Sequence, residues 1–174
     1  MALRVKFQLS KATFSTISIM HNITITKERP DSADAKLLID ELQTHLNPEK
    51  YPDESRHGFS VEKLLREGVA FFVTRKDEVP AGCGGIQLFG TEYGEVKRMY
   101  IRPQYRGLGL GKLMLDHLAA YARDQQISIL RLETGIYQKE AIHLYERYGF
   151  TRRGPFGEYK DDPMSVYFEK RLPG

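Results

Sequence analysis

A run of three alternating glycines, RGLGLGK from Arg106 to Lys112, joins a strand pattern to a helix pattern. The strand pattern ends in MYIRPQY, and the helix pattern that follows places its apolar residues on one stripe. A glycine inside a helix costs about 1 kcal/mol relative to alanine, so helix stability does not explain the run. We infer that the chain needs backbone without side chains at this junction. A strand pattern followed directly by a helix pattern favours a mixed α/β fold.

The rest of the chain divides into short strand and helix patterns without an internal repeat or a linker. Residue alternation predicts strands at 21–27, 69–75, 81–89, 95–101, 127–134, 150–153 and 164–172. Apolar positions at helical spacing predict helices at 35–46, 60–67, 110–122 and 138–148, the last ending at the capping residue Gly149. The predicted order is β-α-α-β-β-β-α-β-α-β-β, in one domain that spans residues 21–174.

The charge of the whole chain says less than its local balance. A formal net charge of +3 does not indicate nucleic-acid binding, which relies on a concentrated basic face. The window from Val96 to Lys112 has no acidic residue and five basic ones, Lys97, Arg98, Arg102, Arg106 and Lys112. We expect this window to attract a compact anion, although for the lysines alone a solvated charged face is the preferred interpretation.

The only cysteine, Cys83, rules out an intramolecular disulfide and fits a reducing, cytoplasmic compartment. It lies between glycines on a predicted strand, which favours a small buried hydrophobic residue over a nucleophile. No apolar run approaches the roughly 20 residues of a membrane helix. Residues 1–20 carry no acidic residue, and we interpret them as a poorly ordered extension; a transit peptide and a start at Met20 are alternatives.

Two common phosphate-binding motifs do not match the glycine run. A P-loop needs glycine and Ser or Thr where Arg106 and Leu113 stand, and a dinucleotide fingerprint needs its last glycine at Lys112. The physical basis of both motifs still applies, because a helix N-terminus presents unpaired N–H groups that glycine leaves accessible to an anion. The alternative is tight packing of the loop against a neighbouring strand, and the loop alone does not decide between them.

Two further motifs identify a family resemblance. The pattern R-x-x-G-x-G at Arg106, Gly109 and Gly111, followed downstream by AIHLYERYGF, resembles the GNAT superfamily of acyl-CoA-dependent N-acetyltransferases. That family carries [QR]-x-x-G-x-[GA] after its fourth strand and N-x-x-A-x-x-L-Y-E-x-x-G-F near its C-terminus. The resemblance covers about residues 21–172 and is strongest to bacterial small-molecule acetyltransferases. It implies an α/β (α+β) domain around a central mixed, mostly antiparallel sheet.

The resemblance implies acetyl-CoA as co-substrate and no metal. Backbone amides of the glycine run would receive the pyrophosphate, and the preceding strand would pair with the pantetheine arm beside a bulge that separates it from the next strand. The expected cofactor-binding residues are Met99, Tyr100, Ile101, Arg106, Gly107, Leu108, Gly109, Leu110, Gly111, Lys112 and Gln138. Gln138 stands where the family usually has Asn, which leaves its contact with the cofactor in doubt.

The resemblance also implies direct attack of a primary amine on the thioester in a ternary complex. Glu95 is the first candidate general base, Glu133 is the second, and Tyr145 matches the family tyrosine that protonates the departing thiolate. Each has a structural alternative. The two carboxylates suit ion-paired strand residues, and Tyr145 also belongs to an apolar stripe with Ala141 and Tyr148.

We expect the acceptor to be a small amine, such as an amino acid, bound by the loops at 47–59 and 154–163. The expected contacts are Tyr51, His57, Phe59, Arg98, Arg131, Glu133, Phe156 and Tyr159. A protein N-terminal or lysine acetyltransferase is the first alternative and would have an open groove; a non-catalytic acetyl-CoA sensor is the second. We expect neither a nucleic-acid nor a membrane partner, and a homodimer is compatible with the sequence.

Overall fold

A computed structural model describes residues 3–4, 22–46, 48–53 and 60–173 of the chain. These residues form eight strands, four α-helices and two short 3₁₀ turns at Pro48–Lys50 and Pro103–Tyr105. In chain order, the elements are β1 (Leu3–Arg4), β2 (Ile23–Glu28), α1 (Ala33–His45), α2 (Val61–Arg66), β3 (Ala70–Lys76), β4 (Val79–Phe89), β5 (Tyr93–Ile101), α3 (Leu110–Asp124), β6 (Ile129–Gly135), α4 (Lys139–Tyr148), β7 (Thr151–Arg153) and β8 (Ser165–Arg171).

The predicted element order from β2 to β8 is confirmed. The additional strand β1 pairs antiparallel with β2, Leu3 opposite Ile25 and Arg4 opposite Thr24. The rest of the predicted extension lies outside the described residues, and so do His57 and Phe59. Among the described residues, no helix has both the length and the apolar character needed to cross a bilayer.

The sheet has the order β1-β2-β3-β4-β5-β6-β8-β7, and only β5 and β6 pair in parallel. The prediction of a mixed, mostly antiparallel sheet is therefore confirmed. The parallel pair is short, with Gly94 opposite Leu130 and Glu95 opposite Arg131. Beyond Glu95, β5 presents one edge that no other strand within the described residues covers.

A bulge in β5 lies at the start of this open edge. Gly85 on β4 faces Lys97, whereas Cys83 faces Tyr100, so β5 has one residue more than its partner. The bulge contains Arg98, whose backbone lies in the left-handed region with φ of 54°. A bulge bends its strand and increases the local twist, which explains why β5 stops following β6. The bulge that the family resemblance implied is present.

Helices cover both faces of the sheet. On one face, α3 and α4 pack through Met114, Leu118 and Tyr145 against Leu130 and Phe168. On the other face, the buried cluster comprises Ala35, Leu38, Ile39, Leu42, Leu64, Val69, Phe71, Val73, Cys83 and Tyr100. Cys83 has no exposed surface, and burial raises its pKa to about 12, which confirms the prediction of a buried, unreactive residue.

Candidate active site

A cleft of roughly 1470 Å³ opens along the uncovered edge of β5. Its walls come from α1, the loop before α3, the end of β6 and α4. All the predicted catalytic and cofactor-binding residues line it except Leu108, which is 53% exposed. Pockets for one small ligand usually measure about 300–1,000 Å³. The cleft is therefore large enough for two ligands side by side.

The three glycines of the run serve two different purposes. Gly107 and Gly109 adopt φ of 76° and 80°, and a Cβ atom on either would meet nothing within 4 Å. The Cβ of an alanine at position 111 would lie 3.0 Å from Leu144 Cδ2, so Gly111 permits close packing of α3 against α4. The first two glycines keep the loop accessible, and the third is explained by packing against a helix instead of the predicted strand.

The backbone amides from Gly107 to Lys112 form an uninterrupted set of free donors. Within the described residues, none of them donates to a protein acceptor, and the first amide that does is Leu113, which donates to Gly109 O at 3.0 Å. Gly109 is the N-cap of α3 and offers no side chain to these amides. The positive end of the helix dipole and its free N–H groups make this loop suitable for an anion.

The two basic residues expected at this loop already contact the protein. Arg106 donates from Nε to Ile101 O at 3.0 Å, and its guanidinium lies 3.1 Å from His45 Nε2. Burial and the nearby Arg106 charge lower the pKa of His45. Lys112 is exposed and forms a 2.7 Å ion pair with Asp116 one turn along α3. Arg106 is therefore held at the cleft wall, whereas Lys112 lies at its rim.

The first candidate base, Glu95, belongs to a ring of three polar side chains, of which Glu95 and Lys97 are buried and Tyr159 is partly exposed. Its Oε1 accepts from Lys97 Nζ at 2.5 Å and from the Tyr159 hydroxyl at 2.7 Å, and Lys97 also donates to Tyr159 at 3.2 Å. Glu95 is 2% exposed and Lys97 is 8% exposed. Burial and the Glu95 charge raise the pKa of Tyr159. The expected ion pairing of Glu95 is therefore present, and both of these contacts use Oε1.

The second candidate base and the candidate acid lie on the other side of the cleft floor. Glu133 Oε1 accepts from Ser165 Oγ at 2.6 Å. The Tyr145 ring packs against Phe150 and Phe168, but its hydroxyl makes no hydrogen bond within the described residues. Burial and the nearby Glu133 charge raise the pKa of Tyr145. Tyr145 is thus a core aromatic whose polar end lines the cleft.

Two tyrosines narrow the end of the cleft where we expect the acceptor, which we call the acceptor end. Tyr51, from the segment after α1, packs edge-on against Tyr137 and accepts a hydrogen bond from its backbone N at 3.2 Å. This position requires glycine at 135, because a Cβ there would lie 2.3 Å from the Tyr51 hydroxyl oxygen. Tyr159 limits the cleft from the segment between β7 and β8. Two tyrosines from separate segments therefore wall this end.

Two predicted acceptor contacts are wrong. Arg131 pairs with Glu169 and lies over the Tyr93 ring at 4.3 Å, and Phe156 packs edge-on against Tyr93. Neither side chain lines the cleft. A cation over a desolvated aromatic face is a favourable contact, and it keeps Arg131 away from the site. Arg98 and Glu133 do line the cleft.

The comparison with known protein families supports the same interpretation. Residues 38–150 match the model of the acetyltransferase (GNAT) family. The chain belongs to the GNAT family. The chain is also 42% identical over 155 residues to a protein named IAA acetyltransferase from Azospirillum brasilense, across 88% of this chain and all of that one. The predicted family and the acyltransferase class are confirmed.

Solved structures of GNAT proteins share the fold. A Klebsiella pneumoniae protein described as an acyl-CoA N-acyltransferase superposes with a TM-score of 0.73 at 38% identity, covering 88% of this chain and 98% of that chain. A GNAT acetyltransferase from Elizabethkingia anophelis, solved with acetyl-CoA bound, has a TM-score of 0.64 at 16% identity, covering 86% of this chain and 98% of that chain. At that identity, the second match supports the fold alone.

Sequence reasoning missed two features of this GNAT site. Lys97 was noted only as part of a basic window, yet its ammonium pairs with Glu95. The signal was available, because residues two apart on a strand point to the same face. The close approach of the Tyr51 hydroxyl to Gly135 could not be predicted from local sequence, since the two residues lie 84 positions apart.

Proposed function

We propose that the protein transfers the acetyl group of acetyl-CoA to a primary amine of a small molecule. The observation that carries the proposal is the run of free amides from Gly107 to Lys112, at the mouth of a cleft that reaches Glu95 and Tyr145. These donors and the two open glycines suit a diphosphate. A cytoplasmic location and a homodimer stay predictions.

The chain would hold acetyl-CoA with backbone groups more than with side chains. Acetyl-CoA supplies an acetyl group activated as a thioester. The uncovered edge of β5, at Met99–Ile101, offers N–H and C=O groups to the amides of the pantetheine arm, as an added strand would use them. Gln138, at the N-terminus of α4, makes no capping bond with its side chain and lines the same wall.

The acceptor must lose a proton before it attacks. An amine with a pKa near 10.4 is neutral in only about one molecule in a few thousand at neutral pH, a deficit of roughly 4 to 5 kcal/mol. Oε1 of Glu95 already receives two hydrogen bonds, whereas its Oε2 has no partner among the described residues. We assign Oε2 of Glu95 to the acceptor N–H, with Glu133 as the second candidate to take the proton.

Tyr145 would supply the proton to the departing thiolate. Its hydroxyl lacks a partner within the described residues, and the two phenylalanines fix its ring. A fixed acid at this position contributes about 10²–10⁴-fold in rate. Its pKa is raised, so the proton stays on the hydroxyl until a strong base such as a thiolate forms nearby.

The walls of the acceptor end favour a small molecule over a protein. Tyr51 and Tyr159 belong to the two segments expected to narrow the site, and each is held in place by hydrogen bonds to other parts of the fold. A protein substrate would need a shallow, open groove. Carboxylates and cations that line the same end suit an acceptor with both charges, such as an amino acid.

The test measures free thiol release from acetyl-CoA with a panel of amino acids, polyamines, aminoglycosides and peptides. We expect turnover with at least one small amine and a large loss of kcat in Tyr145→Phe with unchanged acetyl-CoA affinity. Firm acetyl-CoA binding without turnover across the panel would support the sensor instead. Turnover restricted to peptides would support the protein acetyltransferase.

A further inference from the structure

Lys97 is a buried amine that the proposed transfer does not use. Its side chain is 8% exposed, yet it lines the cleft, where its Nζ donates to Glu95 and to Tyr159. A buried ion pair is not by itself a source of stability, because both charges lose their hydration. The position of Lys97 is therefore better explained by chemistry in the cleft than by the stability of the fold.

Lys97 lies beside the place where transfer would occur. It directly precedes the bulge residue Arg98, two positions beyond the last residue of β5 that pairs with β6. The Glu133 carboxylate acts electrostatically on both Lys97 and Tyr145. The amine and the proposed acid therefore line one cleft within the electrostatic influence of the same carboxylate.

The surroundings of Lys97 favour a reactive amine. Burial lowers its pKa and Lys63 on α2 adds to that shift, whereas the charges of Glu95 and Glu133 oppose it. A lower pKa increases the neutral, nucleophilic fraction of a lysine. Oε1 of Glu95 lies 2.5 Å from Nζ and is positioned to accept its proton. An amine and its base are therefore preassembled in the cleft before any acceptor enters.

We propose that Lys97 is a self-acetylation site, which receives the acetyl group when no acceptor amine fills the cleft. The inference rests on the proposed function, since it needs acetyl-CoA as donor. A bond forms between Nζ and the carbonyl carbon, and the carbon–sulfur bond of the thioester breaks. Nζ loses two protons: one goes to Glu95 and then to solvent, and the other replaces the proton that Tyr145 gives to the thiolate. The lysine ammonium and acetyl-CoA become an amide, free CoA and one released proton.

Acetylation of Lys97 would inactivate the acetyl transfer to an acceptor. An acetylated Lys97 carries no charge, so Glu95 loses the cation that fixes one of its oxygens, and the added acetyl group occupies space at the acceptor end. An acceptor that fills this space would shield Lys97 from the thioester. The chain would then lose activity when acetyl-CoA is abundant and the acceptor is scarce, and the acceptor would protect it.

The experiment incubates the purified protein with acetyl-CoA alone and follows intact mass and lysine-by-lysine peptide mapping against a sample without acetyl-CoA. We expect one acetyl group per chain, located at Lys97 and absent in Lys97→Arg. Lys139 is an internal control, because it is exposed, does not line the cleft and therefore shows the rate of non-enzymatic acetylation. Excess free CoA should suppress the reaction at Lys97 and leave Lys139 unaffected.

The outcomes separate this inference from the proposed function. Acetylation spread over exposed lysines, or at Lys97 no faster than at Lys139, overturns the inference. The absence of any adduct also overturns it, and calorimetric binding of acetyl-CoA to the same sample shows whether the proposed function falls with it. Thiol release with an added amine, together with an unmodified Lys97, would leave the proposed function standing alone.

Discussion

The variant Gly109→Ala, compared with a matched control, should separate the effect of backbone strain on stability from the effect of a blocked anion site on acetyl-CoA binding. Gly109 has φ of 80°, and a Cβ there would meet nothing within 4 Å. Gly90, in the turn between β4 and β5, offers a matched control, because it has φ of 55° and equally open surroundings but does not line the cleft. Both alanine variants should lose about 1–2 kcal/mol of unfolding free energy from the left-handed backbone alone.

The two variants should differ in acetyl-CoA binding. A methyl group at position 109 would occupy open space next to the free amides, where we expect it to prevent at least one hydrogen bond to a phosphate oxygen. A hydrogen bond to a charged group is worth about 1.5–3 kcal/mol, and each 1.4 kcal/mol corresponds to about tenfold in Kd. Gly109→Ala should therefore bind acetyl-CoA roughly 10- to 150-fold more weakly, whereas Gly90→Ala should bind it like the unmodified protein.

Calorimetric titration with acetyl-CoA gives Kd, and thermal unfolding without ligand gives the strain. For a chain of this size, the expected strain lowers Tm by about 2–8 °C in both variants. An affinity in both variants equal to that of the unmodified protein would refute the assignment of the amides to the diphosphate. A loss of affinity in Gly90→Ala as large as in Gly109→Ala would show that backbone strain alone weakens binding. The loss in Gly109→Ala would then give no support to a contact between this loop and the diphosphate.

Three further predictions concern stability. Gly135→Ala should cost about 1–3 kcal/mol of unfolding free energy in urea, because its methyl group displaces the Tyr51 hydroxyl, and most of that cost should vanish in a Tyr51→Ala background. Lys97→Met should cost about 3–5 kcal/mol, since Glu95 is left buried without its cation, and adding Glu95→Gln should restore part of it. Burial against the Phe72 ring lowers the pKa of His117 below its ordinary 6.5, so the unfolded chain binds a proton at a higher pH than the folded chain does. The free energy of unfolding should therefore decrease as pH falls through 6.5, and it should decrease less in His117→Gln.

The order of elements could be predicted because each element carries its own periodicity. Helix α4 shows apolar positions at helical spacing and ends at Gly149, which adopts φ of 94° as a C-terminal cap. Strand β1 could not be predicted, since two residues provide no alternation and depend on β2 for their hydrogen bonds. The insertion of β8 between β6 and β7 is likewise a property of the sheet, which no single strand encodes.

The accessible part of the site could be predicted, and its buried polar contacts could not. The glycine run identified the loop, because three glycines before a helix are costly without a reason. The ring of Glu95, Lys97 and Tyr159 joins residues 64 positions apart, and sequence spacing carries no information about that contact. The wrong expectation for Arg131 has the same origin, since its aromatic partners Tyr93 and Phe156 are distant in sequence.

The topology itself brings the two binding features of the cleft together. Because β5 and β6 are parallel, the chain must cross between them, and it does so through α3. The N-terminus of α3 must then lie beyond the C-terminal end of β5, which is the end where the bulge has turned β5 away from β6. The anion-binding amides and the uncovered strand edge therefore share one end of the sheet for a geometric reason. A ligand with a diphosphate at one end and an amide-rich arm at the other would suit both, and we expect the arm to extend toward Glu95 and Tyr145, which line the same cleft.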